Sequence, residues 1–429
     1  MTKLHGWGRN VYTEDFGSPS IARGYLPIGS RRSYGDSSLN SGGSSLAMNQ
    51  FNKIEIDCNG LATCGAGVTI GELERAALAQ GFFPKVVPGT EFVSLGGAFA
   101  SDVHGKSHHV NGSFSNAVSE IKLRLANGDL VKLGQDSEDF WATAGGMGLT
   151  GAIEGIQIQL GKVETGFVVA QHQRVGNLDE MFESMREVDL EFPFTAAWVD
   201  ISGDFRGRGI VSTGRHANFD EISFNKRRSP FESHNAVRLQ TPDIFPNRSI
   251  NSRTVRMFNE FWFRKPLVNG VTNLQKFLHP LDGLGAWNRI YGKCGFLQYQ
   301  FVVPMNQFEF IELVMQEMRK MKVGSFLGVL KCFGEQPRSH LGFPMPGWTL
   351  AVDIPVGIEG LSETLDRLDN KLIEAGGRIY LTKDSRMSAS HIELMYPRIN
   401  EWRKIRKRMD PEFHWQSDQS RRLRLCEMD

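Results

Sequence analysis

The chain has 429 residues, of which 40% are hydrophobic and 23% are charged, and its formal net charge is +1. This length is too great for one ordinary hydrophobic core, so we expect two domains or three. The near-zero net charge excludes any electrostatic case for nucleic acid as a partner, and the five scattered cysteines form no CxxC pair, which indicates reduced thiols rather than a disulfide framework.

The N-terminal sequence, MTKLHGWGRN, lacks the apolar core of a secretory signal peptide. No stretch approaches the roughly 18 apolar residues that a transmembrane helix needs. We therefore expect a protein that is cytoplasmic or peripheral to the inner membrane, and the sequence leaves a peripheral membrane contact open.

Short strands and few helices are predicted for the first part of the chain. The segments KIEID, from Lys53, and LATCGAG are typical of strands. Thr69 and Glu72 form a capping box, which predicts a helix that ends near Gly81. Further on, Asn127-Gly128 is a strong signal for a hairpin turn.

Three glycine-rich stretches stand out in this first part: Ile28–Asp36 (IGSRRSYGD), Pro88–His109 (PGTEFVSLGGAFASDVHGKSHH) and Ala144–Gly151 (AGGMGLTG). Glycine lets bare backbone approach a ligand closely, and backbone N–H groups with Lys or Arg nearby are what a pyrophosphate needs. We interpret the three stretches together as the cradle of a large cofactor. On this chemistry alone, the alternative of glycine-rich surface turns stays open.

Two nucleotide-binding motifs match only in part. Gly146–Gly151 fits GxGxxG, but a helix is predicted before it and a strand after it, which is the reverse of a dinucleotide-binding βαβ unit. The HGKS segment at 104–107 ends like a phosphate-binding loop, but the required first glycine is Ala100. Neither motif supports a nucleotide site of its usual kind.

Metal binding and hydrolysis find little support. His104, His108, His109 and Asp102 could ligate a metal, but no cysteine or HExxH helix accompanies them, so we expect no metal site. No GxSxG elbow is present, and no stretch isolates a pair of carboxylates among aromatic residues.

The middle of the chain has less pattern. Asn177 is a candidate cap for a helix that runs through Arg186, and Phe194–Asp200 (FTAAWVD) is typical of a strand. Residues 202–256 show no clear period and include the basic run Lys226-Arg227-Arg228. An irregular segment of this length is usually functional or partly disordered, so we expect a mobile lid over the substrate.

From Phe296 onward the pattern predicts a β-α-β-β-α-β order, the split βαβ arrangement of ferredoxin-like α+β sheets. The predicted elements are the strand Phe296–Pro304, the helix Asn306–Met321, the strands Ser325–Phe333 and Trp348–Val356, a helix from Leu361 closed by Gly376-Gly377, and the strand Arg378–Thr382.

Strand periodicity then places polar and apolar side chains on one face of this sheet. Gln298 and Gln300 point the same way, and so do Leu327, Val329, Lys331 and Phe333. We expect a half-polar sheet face over a pocket, although an ordinary solvated face is the alternative. The later basic run Arg398–Arg408 is helical in type and predicts a solvated face or, less often, a contact for phosphate or anionic lipid.

Several segments together resemble one known family. They are SRRSYGD, VPGT, GGAFASDVHGKSHH, FWATAGGMGLTG, HPLDGLGAWNR, GFLQYQFV, VLKCFG, PGW and TKDSR. With these segments the sequence resembles the decaprenylphosphoryl-β-D-ribose 2′-oxidase family, a branch of the vanillyl-alcohol-oxidase-type FAD-binding oxidoreductases. The matches run from Gly6 to Arg422, and so cover nearly the whole chain.

The resemblance implies an α+β fold with non-covalently bound FAD. A PCMH-type FAD-binding domain of two subdomains would span residues 1–163, a substrate-binding domain with the ferredoxin-like sheet would span 164–377, and residues 378–429 would complete the FAD domain. The implied cofactor-binding residues are Arg32, Ser33, Tyr34, Gly35, Asp36, Pro88, Gly89, Thr90, Gly96, Gly97, Ala98, His104, Gly105, Lys106, His109, Gly148, Thr150, Gly151 and Lys383.

The resemblance also implies a reaction and the residues that carry it. The family oxidises the 2-hydroxyl of a polyprenyl-phosphoryl ribose to a ketone, and a separate short-chain dehydrogenase/reductase completes the epimerisation to the arabinose form used in cell-envelope glycans. Implied catalytic residues are Lys383, Gln298, Gln300, Lys331 and His104. Implied substrate-binding residues are Tyr34, Trp198, Leu327, Val329, Lys331 and Phe333.

Two other functions stay open at this point. One is an FAD-dependent oxidase of another sugar, sugar alcohol or lactone, and the other is a flavin- or polyprenyl-phosphate-binding protein without turnover. The lysines and glutamines named above disfavour the second, because a binding protein has no need of them all.

Overall fold

A computed structural model describes residues 4–13, 24–186, 192–202, 207–233, 239–247 and 249–427. The expected lid at 202–256 therefore falls in part, at 203–206, 234–238 and 248, outside the described residues. None of the helices in the described part of the chain combines the length and apolar character needed to cross a bilayer.

Eleven strands and five helices make up the described part of the chain as far as Lys162. The strands are β1 Leu4–His5, β2 Tyr12–Thr13, β3 Tyr25–Ile28, β4 Ser44–Ala47, β5 Ile54–Ile56, β6 Leu61–Gly65, β7 Phe82–Phe83, β8 Val118–Arg124, β9 Leu130–Gly134, β10 Ala152–Gln159 and β11 Gly161–Lys162. The helices are α1 Ile70–Leu78, α2 Leu95–Ala100, α3 His108–Asn111, α4 Phe114–Ala117 and α5 Glu138–Thr143.

A five-stranded antiparallel sheet in the order β5-β6-β10-β8-β9 carries this part of the molecule. The predicted capping box of Thr69 and Glu72 is present at α1, and the predicted turn at Asn127-Gly128 joins β8 to β9. Fully buried side chains such as Phe99 and Phe140, whose rings lie 5.0 Å apart, pack the helices on the sheet. The first and third glycine-rich stretches run mainly as loops, whereas the second, Pro88–His109, contains α2.

Ten strands, nine α-helices and two 3-10 helices follow in the described residues from Phe167 to Arg422. The strands are β12 Phe167–Val175, β13 Phe194–Val199, β14 Gly209–His216, β15 Leu239–Gln240, β16 Gly270–Asn273, β17 Leu284–Gly285, β18 Phe296–Pro304, β19 Gly328–Phe333, β20 Gly347–Pro355 and β21 Arg378–Ile379. The α-helices are α6 Leu178–Arg186, α7 Phe224–Arg227, α8 Ser252–Arg264, α9 Leu274–Leu278, α10 Glu309–Lys320, α11 Leu361–Glu374, α12 Ile392–Met395, α13 Ile399–Met409 and α14 Asp418–Arg422.

An eight-stranded sheet in the order β16-β12-β14-β13-β19-β20-β18-β21 forms the second layer. Its half made of β18, β19, β20 and β21 has the strand order of the split βαβ arrangement, and every pairing is antiparallel. The other half, made of β12, β13, β14 and β16, repeats the same order. The two halves join where β13 pairs with β19.

The second half corrects the expected lid. Residues 209–216, which fall inside the segment 202–256, form β14 between β12 and β13 and so cannot move as a lid. Gly209 and Gly214 hide the strand in the sequence because they weaken its pattern. The structure explains Gly209, since a Cβ there would collide with the Trp198 carbonyl oxygen and Met181 Cε.

The two faces of the eight-stranded sheet have different tasks. Phe182 of α6 packs on Trp348 of β20, with ring centroids 4.8 Å apart, and α10 and α11 bury their apolar sides in the same core. Because side chains alternate along a strand, the neighbouring Thr349 points to the opposite face and lines a cavity. The helices thus cover one face and leave the other for a ligand.

The basic run at 398–408 forms an amphipathic helix: Lys404, Lys407 and Arg408 are exposed on the predicted solvated side, and the other side is packed. In α13, Trp402 is fully buried and its indole N–H donates to the Ala142 carbonyl oxygen at 2.9 Å. Arg406, also fully buried, contacts the carbonyl oxygen of Leu149 at 3.2 Å and pairs with Asp410. The helix therefore attaches the C-terminal segment to the third glycine-rich stretch.

Candidate functional site

One cavity of about 1280 Å³ lies between the glycine-rich loops and the open face of the eight-stranded sheet. This volume exceeds the roughly 300–1,000 Å³ of a pocket for one small ligand. All three glycine-rich stretches contribute to its wall, together with β12, β13, β14, β18, β19 and β20. The cavity is thus large enough for a cofactor and the reacting part of a substrate together.

Most of the residues predicted for the site line this one cavity. They are Arg32, Ser33, Tyr34, Pro88, Gly89, Thr90, Gly96, Gly97, His104, Lys106, Gly148, Gly151, Trp198, Gln298, Gln300, Leu327, Val329, Lys331 and Lys383. The fold brings them together from segments that are far apart in sequence.

Other predicted site residues are not part of the cavity wall, namely Gly35, Asp36, Ala98, Gly105, His109, Thr150 and Phe333. Their contacts place them behind it. Phe333 packs against the His104 ring at 4.7 Å, Thr150 hydrogen-bonds Thr143, and Ala98 is fully buried in the core. These residues support the wall, and sequence matching alone does not separate such supports from residues that touch a ligand.

One end of the cavity suits a pyrophosphate. The Arg32 guanidinium lies over the Trp7 ring at 4.2 Å and near Phe92. Its Nε and the hydroxyls of Ser37 and Ser38 are buried without a hydrogen-bond partner among the described residues. Buried donors of this kind cost free energy unless a ligand or water satisfies them. Together with the bare amides of the nearby loops, they form a donor set that fits the anionic part of FAD.

An ion-pair cluster ties this loop to the C-terminal segment. Arg422 holds both carboxylate oxygens of Asp36, at 2.7 and 2.8 Å, and also Asp384 at 2.7 Å. Gly35 lies against the Asp384 carbonyl oxygen so closely that a Cβ there would collide with it. The predicted Asp36 therefore acts on the loop through Arg422 and not as a wall residue.

Three lysines line the deeper part of the cavity. Burial lowers the pKa of Lys106 to about 7 and that of Lys331 to about 8. Burial also lowers the pKa of Lys383, whose ammonium lies over the Tyr34 ring at 3.5 Å. A lysine with a lowered pKa can exchange a proton near neutral pH, so each is a candidate acid–base or charge-stabilising group.

His104 is a neutral imidazole in this setting. Burial lowers its pKa well below the usual value, and Lys331, His108 and Lys383 add to the effect. Its Nε2 is 3.1 Å from the Gln300 amide nitrogen, so Nε2 accepts and the proton lies on Nδ1. Nδ1 is buried with no hydrogen-bond partner in the described part of the chain, and it remains a donor for a ligand.

Asp353 is a site residue that the sequence analysis missed. It is fully buried on β20, opposite Gln298 in the register, and its Oδ1 accepts a hydrogen bond from the Gln298 amide at 2.6 Å. Burial raises the pKa of Asp353, while Gln298 and Lys383 act against the shift. A carboxylate inside the apolar strand WTLAVDIP was the available signal, since charged residues are rarely buried without a role.

An exposed apolar surface lies beside the cavity on α8. We call it the α8 patch, made of Met257, Phe258, Phe261, Trp262 and the following Val268. Met257, Phe261 and Val268 are 76%, 66% and 77% exposed, while Phe258, Trp262 and Val268 also line the cavity. Basic residues flank it, namely Arg253, Arg264 and Lys265. The irregular segment predicted from the sequence ended at residue 256, inside this helix, and no element was predicted for the residues that form the patch.

Several known proteins are similar to this chain. A family model described as "FAD binding domain" matches residues 22–134. Decaprenylphosphoryl-beta-D-ribose oxidase of Mycolicibacterium smegmatis is 39% identical over 449 residues, which cover 99% of this chain and 97% of that protein. An uncharacterized protein of Streptomyces coelicolor is 30% identical over 83% of this chain and its own full length. Alditol oxidase of a Streptomyces species is 29% identical over 25% of each chain.

Proposed function

Because the chain belongs to the decaprenylphosphoryl-β-D-ribose oxidase family, we propose that it oxidises the 2-hydroxyl of a polyprenyl-phosphoryl-β-D-ribose to the 2-keto sugar. The chain is an FAD-dependent oxidoreductase that acts on an alcohol group. The observation that carries the proposal is the single cavity in which the pyrophosphate donors and the three buried lysines meet.

We propose that Arg32, Ser37, Ser38 and the glycine-rich loops hold FAD without a covalent bond. When bound, FAD supplies the oxidant that accepts hydride from the sugar carbon. The His104 Nδ1–H and Lys106 are proposed to lie near its ring. Support comes from the orphan donors at Arg32, Ser37 and Ser38 and from the cavity that these residues share.

The protein groups must do the remaining work on the substrate. As hydride leaves the carbon, the hydroxyl proton has to leave too, or the charge that grows on its oxygen has to be stabilised. We assign this task to Lys383, either as a neutral base or as a charged stabiliser. Lys331, with Gln300 and Trp198 on the same face of the sheet, is proposed to meet the sugar phosphate.

The finer domain organisation is also a proposal. An FAD domain of two PCMH-type subdomains at 1–163, completed by residues 378–429, would enclose an inserted substrate domain at 164–377. The bond of Arg422 to Asp36 supports this arrangement, as does the bridge between Tyr25 and Trp415, because both join the first residues to the last.

The product chemistry calls for a second enzyme. A 2-keto sugar has lost the stereochemistry of its carbon, so a reductase that adds hydride from the opposite face converts ribose to arabinose. We propose a short-chain dehydrogenase/reductase in that role, and cell-envelope arabinan as the destination. The alditol oxidase match covers only a quarter of the chain, so it gives the alternative of a soluble sugar alcohol little support.

We propose that the α8 patch contacts the membrane that holds the polyprenyl chain. An exposed apolar surface with basic residues at its border fits an anionic bilayer surface. Its continuity with the cavity supports the assignment, because the sugar could enter the site while the lipid chain stays in the bilayer. Location at the inner face of that membrane is part of the same proposal.

The double variant Met257→Asp, Phe261→Asp is expected to lose sedimentation with vesicles that contain phosphatidylglycerol, since two carboxylates would face the anionic surface. Neither residue lines the cavity. Phe224→Asp is the matched control, because Phe224 is 71% exposed but lies away from the cavity. Equal vesicle binding by all three proteins, with turnover intact, would contradict the membrane contact while leaving the oxidase proposal standing.

Anaerobic mixing of the purified yellow protein with polyprenyl-phosphoryl ribose tests the main proposal. The flavin absorbance should bleach, and a ketone should form in an amount equal to the flavin reduced. The 2-deoxy analogue is the control, because it has no hydroxyl to oxidise and should leave the spectrum unchanged. A colourless protein that takes up no FAD, or a flavin that this substrate does not bleach, would remove the proposal.

A further inference from the structure

Asp353 stands out as a buried acid that the proposed chemistry does not yet use. Its side chain is fully buried and bonded to one partner, Gln298, while Oδ2 has no hydrogen-bond partner among the described residues. An unsatisfied buried carboxylate oxygen costs free energy. A contribution to fold stability therefore does not explain why a carboxylate is buried at Asp353, beside the cavity.

The contact with Gln298 orients an amide that lines the cavity. A carboxylate can only accept hydrogen bonds, so its 2.6 Å contact must be with the NH₂ end of the Gln298 amide. The carbonyl end is then left for other partners. The Gln298 side chain lowers the pKa of the Tyr34 hydroxyl against the effect of burial, and the Lys383 ammonium lies 3.5 Å from the centroid of the Tyr34 ring. Gln298, Tyr34 and Lys383 line the same cavity, and Asp353 lies directly behind Gln298.

Most of the charged groups around Asp353 and Lys383 are positive. Lys331 lowers the pKa of Lys383 and Asp353 raises it. Lys383 in turn lowers the pKa of His104 on the neighbouring loop. Asp353 also raises the pKa of the Tyr34 and Tyr291 hydroxyls. From the adjoining loops, Asp282 raises the pKa of Tyr34 and Arg32 lowers it. Among these groups, Asp353 is the carboxylate that acts on Lys383.

We propose that Asp353 is a positioning residue for the oxidation: it holds Gln298 in one orientation and supplies the negative charge that keeps the proton on Lys383. The proposal rests on the proposed function for its catalytic meaning, and it names a residue outside the cavity wall. Asp353 acts through Gln298, Tyr34 and Lys383 and does not touch the substrate.

The variant Asp353→Asn removes the charge and keeps the shape. A nearby carboxylate favours the charged ammonium and so raises the pKa of Lys383 against the effect of burial. Without it the pKa of Lys383 should fall further. If neutral Lys383 is the base, the rising limb of the pH profile moves to lower pH. If charged Lys383 is a stabiliser, the falling limb moves to lower pH too, so the direction of the shift is the same in both cases.

Rates of anaerobic flavin reduction across the neutral pH range give the first readout. The second needs no turnover: the ammonium signal of Lys383 is followed by NMR in holoenzyme that carries heavy-nitrogen lysine, and Lys383→Ala identifies the signal. We expect Asp353→Asn to move both the rate limb and the NMR midpoint to lower pH by roughly one unit or more, with the FAD content unchanged.

Asp369→Asn is the matched control. Asp369, on α11, is equally buried but bonds Tyr299 and Arg386 away from the cavity, so its loss should leave both midpoints in place. The variant Gln298→Leu tests the orientation part of the proposal, because it removes the amide that Asp353 holds. It should slow flavin reduction.

An Asp353→Asn protein with both midpoints unchanged overturns the proposal, whatever its melting temperature. If Asp353→Asn fails to fold, the Gln298→Leu result decides: a reduction rate equal to that of the wild type overturns the orientation role. A wild-type flavin that the substrate does not reduce would end the proposed function, and the NMR titration would still test the pairing of Asp353 with Lys383.

Discussion

Lys383→Ala is expected to keep its yellow flavin and to lose about 10²–10⁴-fold in the rate of flavin reduction by substrate, the usual cost of a missing acid–base or charge-stabilising group. The ammonium lies in the cavity over the Tyr34 ring, where burial has already lowered its pKa. Lys383 is not a surface lysine paired with Asp384, because it lines the cavity and Asp384 pairs with Arg422.

Stopped-flow absorbance under anaerobic conditions measures this rate directly. Lys371→Ala is the control, since Lys371 is an exposed lysine in a surface ion pair with Glu374, and such pairs contribute little. A near-wild-type rate in Lys383→Ala would remove Lys383 from the mechanism. Loss of FAD from the variant would instead assign the residue to cofactor binding.

Arg422→Ala is expected to release FAD and to lower the free energy of unfolding by about 3 kcal/mol, the lower end of the cost of breaking a buried ion pair. The lower end applies because the Arg422 side chain is 26% exposed and water can partly replace it. Without Arg422, the carboxylates of Asp36 and Asp384 remain close together, and they would push the first glycine-rich loop away from the C-terminal segment.

Urea denaturation and the flavin-to-protein absorbance ratio after gel filtration check the two effects. Arg421→Ala is the control on the same helix, since the side-chain contacts of Arg421 in the described part of the chain are local, to Asp418 and Gln416. If Arg422→Ala keeps both its flavin and its stability while Arg421→Ala does the same, the cluster does not close the cofactor site.

Local signals in the sequence were sufficient for the split βαβ half of the sheet. β18 and β20 each run over nine residues with mostly apolar side chains, and helices with clear three-to-four spacing follow. Their period also placed Gln298, Gln300 and Lys331 on one face, and these residues line the cavity. A strand period is a local property, so one sequence is enough to show it.

What the sequence did not reveal depends on partners that are distant along the chain. Gly209 and Gly214 made β14 look irregular, and only its pairing with β12 and β13 makes it a strand. The basic run of α13 predicted the solvated side of the helix but not its packed side, because the burial of Arg406 depends on contacts with Leu149 and Asp410. Asp353 contacts Gln298 because β18 pairs with β20, and the sequence alone does not give that pairing.

The central claim is that one cavity brings the 2-position of the sugar to the flavin, and a deuterium label at that carbon tests it most directly. Polyprenyl-phosphoryl ribose with deuterium on carbon 2 should reduce the flavin more slowly than unlabelled substrate, because that C–H bond breaks in the step. The same label on carbon 3 should leave the rate unchanged. A flavin reduced at equal rates by the unlabelled and the 2-deuterated substrate, or slowed only by deuterium on carbon 3, would contradict the account.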